Sequence, residues 1–227
     1  MAWTLIASAV EGTDSAPATT ASINTSGAKL LVVTVGGYAP SGPFTLSDNK
    51  SNTWTGITSQ TLGDNYQRIY YCINPTVGSG HTFTLSATGG IYGGPCVQAW
   101  GCDGDVAYGG ESGSTADATT IQPGSVTPSQ NGSLIFTGMV MGNGGSTIVL
   151  PSINSGFTLS PSYKVRTGGW YGLFSAYLVE TTAAAVNPTW TFTMEYGTPR
   201  LTSTIAWFTE TNTYSVDQSS FRFGVDE

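Results

Sequence analysis

The chain is poor in charged side chains. Lys and Arg number 7, Asp and Glu number 14, and together they make up 9% of the 227 residues, against about 25% in an average soluble domain. So few scattered basic residues cannot form the positive stripe that binds a run of phosphates. We therefore expect no nucleic-acid partner, and we expect hydroxyl groups and bare backbone to keep the surface hydrated.

Long hydrophobic runs are also missing. No stretch approaches the about 20 apolar residues that a transmembrane helix needs. A signal peptide has a basic region followed by an uninterrupted apolar stretch. The N-terminal residues MAWTLIASAVEGTDS have no basic region, and Glu11 interrupts their apolar stretch. We therefore predict neither a signal peptide nor membrane contact, and leave open a mature form whose leader has been removed.

Catalytic groups are scarce. The one histidine, His81, begins the alternating pattern HTFTLSA and shares the parity of Phe83 and Leu85, which favours a structural position over a general base. Glu180 and Glu195 come closest to the carboxylate pair of a glycosidase, but nothing in the sequence brings them together. No Gly-rich phosphate loop opens a helix. We therefore predict that the chain is not an enzyme and binds no cofactor.

The three cysteines, Cys72, Cys96 and Cys102, are an odd number without the paired spacing of a metal site. This count argues against both a zinc centre and a complete disulfide framework. We interpret them as small buried apolar side chains, and a bridge from Cys72 to either of the others is the alternative.

Short apolar or alternating runs are what the sequence does contain. They recur between clusters of Gly, Pro, Asn and Ser, and no window of eleven residues or more carries a helical apolar stripe. This pattern predicts an all-β protein with almost no helix. The predicted strands lie near residues 3–8, 30–35, 53–59, 68–73, 81–87, 96–100, 134–141, 157–159, 173–179, 189–194 and 204–208.

Residues 22–104 and 125–210 form a weak internal repeat. SINTSGAKLLVV (22–33) aligns with SVTPSQNGSLIF (125–136), HTFTLSA (81–87) with WTFTMEY (190–196), and VQAW (97–100) with IAWF (205–208). A unit used twice suggests two sheets closing over one core. We predict one antiparallel, jelly-roll-like β-sandwich domain over residues 1–210, followed by a tail or arm at 211–227. Two domains divided at the polar seam near residues 104–124 are the alternative.

One loop is a candidate ligand-binding site. Tyr163, Trp170 and Tyr171 flank the segment KVRTGG, which carries Arg166 in a nearly uncharged region. Aromatic faces supported by polar groups are typical of saccharide sites on β-sandwiches. These four residues are therefore a candidate glycan contact, and the alternative is a hairpin end packed by its own aromatic side chains.

Two further segments are candidates for other contacts. Asp103 and Asp105 in GCDGDV could turn toward one Ca²⁺ ion, although a surface turn is the commoner meaning of this pattern, and we predict no firm metal site. In the tail, Phe221 and Phe223 flank Arg222 outside the repeat. We predict that this tail contacts another subunit, because exposed strand edges are templates for a second chain. A disordered tail and an edge strand added to its own sheet are the alternatives.

Three phrases carry a resemblance to a known group of proteins: SDNKSNTWT, YYCINPTVGSGHTFT and AAAVNPTWTF. Their pattern D-x-K-x-N-x-W, then N-P-T, then H-T-F-T resembles Gly/Ser/Thr-rich β-sandwich modules of bacteriophage virion proteins and of some bacterial surface proteins, over about residues 20–210. The resemblance implies a capsid decoration, head-fibre or tail-fibre component, made in the host cytoplasm and placed on the virion surface, and it supplies no catalytic residue.

The implied partners are other virion proteins or copies of the chain itself, with a trimer as one arrangement, and a host surface glycan. The alternative from another class is a carbohydrate-binding module of a bacterial surface or secreted protein.

Overall fold

The computed structural model describes residues 3–12, 17–38, 44–87, 92–142, 150–165, 171–193 and 197–211. Within these ranges every regular element is a β-strand, and all paired strands are antiparallel. The described residues therefore contain no helix that is long and apolar enough to span a membrane. The tail with Phe221, Arg222 and Phe223 lies outside the described residues, so its predicted contact stays a prediction.

The first repeat contains nine strands in two sheets. They are β1 (Thr4–Val10), β2 (Ala18–Thr19), β3 (Leu30–Tyr38), β4 (Thr45–Asp48), β5 (Thr55–Gly56), β6 (Gln60–Leu62), β7 (Asn65–Ile73), β8 (Phe83–Ser86) and β9 (Tyr92–Gly101). One sheet has the order β1-β9-β3-β7-β5, with β6 also paired to β7, and the other has the order β2-β8-β4. The pairs β1–β9, β2–β8 and β3–β7 are nested, which is the pattern of a jelly roll.

The second repeat reproduces this arrangement strand for strand. Its strands are β10 (Asp105–Asp117), β11 (Thr120–Ile121), β12 (Ser133–Gly142), β13 (Ser152–Ile153), β14 (Thr158–Leu159), β15 (Lys164–Val165), β16 (Tyr171–Glu180), β17 (Trp190–Thr191) and β18 (Arg200–Thr211). Their orders are β10-β18-β12-β16-β14, with β15 on β16, and β11-β17-β13. The all-β class and the duplicated unit are thus confirmed, and the jelly-roll order occurs once in each repeat.

The structural repeat is longer than the sequence repeat. It spans residues 4–101 and 105–211, because β1, β2, β10 and β11 precede the segments that align. The alignment of 97–100 with 205–208 is confirmed, since Trp100 pairs with Leu30 as Phe208 pairs with Leu134. The alignment of 81–87 with 190–196 is wrong by four residues.

The correct correspondence for that segment follows from the strand pairing. Leu85 on β8 pairs with Ala18 on β2, and Trp190 on β17 holds the equivalent place opposite Ile121 on β11. The isolated bridges agree, since His81 pairs with Ile23 where Val186 pairs with Val126. The shared letters T-F-T therefore misled the alignment, and residues 81–87 match 186–192.

Strand β10 was not predicted, because its polar sequence suggested a seam. It is the edge strand of its sheet and is only partly buried along most of its length, so it lacks the apolar alternation of a covered strand. A Cβ at Gly109 would overlap the Trp207 ring, so glycine here lets that indole lie on the strand. The connection between the repeats is only the short turn at 102–104, and no linker separates them.

The two six-stranded sheets pack face to face and share a core. The even-numbered side chains of β3 point into it, and its buried members include Leu30, Val32, Trp100, Leu134, Phe136 and Phe208. The odd-numbered side chains of β3 instead pack against the small sheet of the first repeat, with Phe83 and Leu85. A matching core lies behind β12, around Trp190 and Phe192.

Sequence reasoning expected one core between two sheets, whereas each repeat also buries an apolar face of its own. The assignment of residues 1–210 to one domain stays a prediction, which the shared core supports.

Part of the contact between the large sheets is polar and unusually close. Gln67 Nε2 on β7 donates a hydrogen bond to Thr204 Oγ1 on β18 at 2.7 Å, and both side chains are buried. Gly138 on β12 faces Thr34 on β3, and a Cβ at Gly138 would collide with the threonine side chain. The sheets are therefore in close contact at Gly138, where one of them presents bare backbone.

Candidate functional site

The segment that carries the D-x-K-x-N-x-W pattern is a turn organised by Asp48. Its Oδ1 accepts hydrogen bonds from the backbone N–H of Lys50 at 2.7 Å and of Asn52 at 3.3 Å. Its Oδ2 accepts one from Trp54 Nε1 at 2.8 Å. Carboxylates that accept backbone N–H bonds in this way are typical of Asx turns. The hydrogen bond between the Asp and the Trp of the pattern thus holds both side chains in position.

The same turn is tied to the segment that carries the N-P-T and H-T-F-T phrases. Asn52 exchanges two hydrogen bonds with the backbone of Thr76, at 3.0 and 2.7 Å. Asn49 donates to Gly80 O at 2.8 Å and accepts from Thr82 N at 3.0 Å, and Lys50 Nζ donates to Ser79 O at 3.2 Å. The motifs behind the resemblance therefore join two loops of the first jelly roll.

His81 lies at the base of these loops and is fully buried, with Asp48 and Thr25 beside it. Its Nε2 is 3.4 Å from Asp48 Oδ1, its Nδ1 is 2.9 Å from Thr25 Oγ1, and its ring stacks on Phe83. A hydroxyl, an imidazole and a carboxylate in line are the parts of a nucleophilic triad. All three side chains are inaccessible to solvent, so no substrate reaches the hydroxyl here.

Burial lowers the pKa of His81 below its ordinary value of 6.5, against the opposing effect of the Asp48 carboxylate. Below about pH 6.5 the unfolded chain therefore binds a proton that the folded chain does not, so the free energy of unfolding falls as the pH falls. We expect urea denaturation to show constant stability between about pH 8 and pH 7 and a decline from about pH 6.5. The His81→Gln variant is the control, and an equal decline in that variant would contradict the assignment.

An open groove runs beside this network, at the edge of the small sheet of the first repeat. It has a volume of about 480 Å³. Its walls include Thr45 and Ser47 of β4, Ser51 and Asn52 of the turn, Trp54 and Tyr70. Sequence reasoning missed this site because it placed Trp54 inside a strand at 53–59, whereas β5 begins at Thr55. The polar run before Trp54 was the available signal.

The predicted glycan loop is only partly within the described residues. Tyr163 is 43% exposed, and Arg166 and Trp170 lie outside the described ranges. Tyr171 is buried between the large sheets, where its hydroxyl donates to Gly36 O at 2.7 Å. Its inclusion was wrong, because the start of β16 turns this ring toward the other repeat. The role of the remaining three residues stays a prediction.

The segment before that loop packs on its own repeat and on the other one. The ring of Tyr163 stacks on Phe174, with centroids 6.0 Å apart, beside a small cavity of about 220 Å³ that Leu150 and Leu159 also line. Lys164 forms an ion pair of 3.1 Å with Glu11 of the first repeat. This packing favours the alternative of a hairpin end held by its own aromatic side chains.

The turn with Asp103 and Asp105 is capped by another carboxylate. Glu210 Oε1 accepts a hydrogen bond from Gly104 N, and the two aspartates are exposed. In the part of the chain that the structure describes, no three His, Cys, Asp or Glu side chains come together as a metal would require. The segment forms a surface turn, and a Ca²⁺ ion at Asp103 and Asp105 stays an untested alternative.

All three cysteines are free, so the alternative bridge from Cys72 is wrong. Cys72 and Cys96 are buried as predicted, and Cys102 is partly exposed. Burial raises the pKa of both Cys96 and Cys102 to about 11, which leaves little thiolate at neutral pH. Of the two glutamates considered for glycoside hydrolysis, Glu180 ends β16 and Glu195 lies outside the described ranges.

Comparison of the chain with protein-family profiles, curated proteins and solved structures finds no match in any of the three.

Proposed function

We propose that this protein is a non-enzymatic structural component of the bacteriophage virion surface, such as a capsid decoration, head-fibre or tail-fibre protein. The observation that carries the proposal is the jelly-roll order in both repeats, because jelly rolls are the recurring architecture of viral capsid and lectin domains.

The use of the motif residues supports the same proposal. Asp48, Asn52 and His81 are engaged in holding loops together. A scaffold of this kind suits a surface protein that must keep its shape. The low charge and the abundance of Gly fit a surface hydrated by hydroxyl and backbone groups.

The direct test is whether the chain travels with virus particles. Particles released by the bacterium that carries the gene are purified by density gradient, and the fractions are probed with antibodies raised against the purified protein. We expect the chain in the particle fraction, with gold-labelled antibody on intact particles in electron micrographs. A chain found only in the soluble fraction of the lysate would contradict the proposal.

Assembly through the tail gives a second prediction. We expect the full-length protein to be an oligomer in solution and the chain truncated after Glu210 to be a monomer, because the tail would add a strand or an apolar pair to a neighbouring copy. Sedimentation equilibrium measures both masses. The same oligomer before and after truncation would exclude the tail as the contact, and two monomers would leave only a different virion protein as its partner.

A further inference from the structure

The groove beside Trp54 is built by a rigid set of contacts. The indole packs edge to face on Phe83, with ring centroids 6.0 Å apart, and its N–H is held by Asp48. Tyr70, also in the wall, is fixed through the hydrogen bond from its hydroxyl to Phe44 O at 2.9 Å. An aromatic ring held in place before a ligand arrives loses little conformational freedom on binding.

The polar side chains of the groove are mainly hydroxyls, and the amide of Asn52 is already bonded to Thr76. Thr45, Ser47 and Ser51 line it and are exposed, and their hydroxyls make no hydrogen bond to other described residues. Each hydroxyl can donate one hydrogen bond and accept two. The walls therefore present several donors and acceptors close to a large apolar ring.

No charged side chain of the wall is available to a ligand. Asp48 contributes to the wall, but its carboxylate is inaccessible to solvent and each of its oxygens already accepts hydrogen bonds from the turn. Burying an ionic ligand without a charged partner is costly, so the groove is suited to a neutral molecule.

From these features we infer that the groove beside Trp54 binds a neutral saccharide. The indole provides the apolar surface on which the C–H face of a pyranose packs, and the hydroxyls of Ser47 and Ser51 bond the sugar hydroxyls. A volume of about 480 Å³ is in the range of ligand sites, which is about 300–1,000 Å³. The inference does not depend on the virion role, since it rests on the groove alone.

The test is a titration of the full-length protein with saccharides, in which binding is measured by calorimetry and by tryptophan fluorescence. The probes are three neutral tetrasaccharides, built from N-acetylglucosamine, from α-linked glucose and from β-linked glucose, with an anionic tetragalacturonate for comparison. We expect saturable binding of at least one neutral probe and none of the anionic one. Trp54→Ala should weaken that binding by at least about tenfold.

Two further variants separate loss of the site from loss of folding. Ser47→Arg fills the groove from an exposed position and should abolish binding while the thermal unfolding temperature stays unchanged. Tyr163→Ala removes the exposed ring of the second repeat and should leave binding unchanged.

Three outcomes would overturn the inference. They are no saturable binding of any neutral probe up to about 10 mM, binding that survives both Trp54→Ala and Ser47→Arg, and binding that only Tyr163→Ala removes. Each outcome is independent of the particle-fraction test, so the saccharide site and the virion role can fail separately.

Discussion

Replacing Gly138 by leucine is expected to destabilise the protein by about 3 kcal/mol or more, because overpacking at a site that cannot expand is costly. A Cβ at this position would lie 2.8 Å from Gln67 Nε2 and would overlap Thr34. Both neighbours belong to the first repeat and are fully buried. The added side chain can therefore be accommodated only if the two large sheets separate.

The measurement for this prediction is equilibrium urea denaturation followed by circular dichroism. Gly138→Ala should give a smaller loss in the same direction, since it adds only the first carbon. Thr158→Leu is the matched control, because Thr158 is an exposed strand position of the same repeat and should change stability by no more than about 0.5 kcal/mol. A Gly138→Leu variant as stable as the control would mean that the sheets do not meet at this point.

Replacing Asp48 by alanine is the second change with a large expected effect. The substitution removes the acceptor for the N–H groups of Lys50, Asn52 and Trp54 and leaves the buried His81 without its carboxylate. Leaving partly buried hydrogen-bond donors without their acceptor costs about 1–3 kcal/mol. We expect a loss in that range, measured by urea denaturation at pH 7.5.

Asp103→Ala is the control for the loss of an aspartate, because Asp103 is exposed in the turn between the repeats and should cost no more than about 0.5 kcal/mol. Asp48→Asn should fall between the two, since the amide keeps one acceptor oxygen. A loss below about 1 kcal/mol for Asp48→Ala would show that the turn does not depend on this carboxylate.

The strands that could be predicted from sequence are those buried on at least one face. β3 and β12 are apolar along most of their length because both of their faces are covered, and each of the other predicted segments overlaps a strand of the structure. β10 could not be predicted because its glycines and hydroxyl residues show no apolar alternation. Gly109 makes room for the Trp207 ring, and the strand lies at the edge of its sheet. The strands β2, β4, β6, β11, β13 and β15, of two to four residues each, carry no pattern long enough to recognise.

The candidate site shows the same division. The sequence pattern placed Tyr171 and Tyr163 together as neighbours of one loop. The alternation of β16 instead directs Tyr171 and Leu173 toward the other repeat. Phe174 points the opposite way, toward the small sheet of its own repeat, and Tyr163 stacks on its ring. Which alternate side chains of β16 are covered depends on the position of the other large sheet, and the local sequence does not indicate that position. Trp54 was missed for a related reason, because its environment comes from Phe83 and Asp48.

The measurement that tests the central structural claim most directly is native-state hydrogen exchange with mass spectrometry, as a function of urea concentration. If the repeats share a core, the amides of β3 and of β12 should lose protection together, with one free energy and one dependence on urea. Protection lost in one of these strands while the other keeps it would contradict the account, because each jelly roll would then fold on its own core alone.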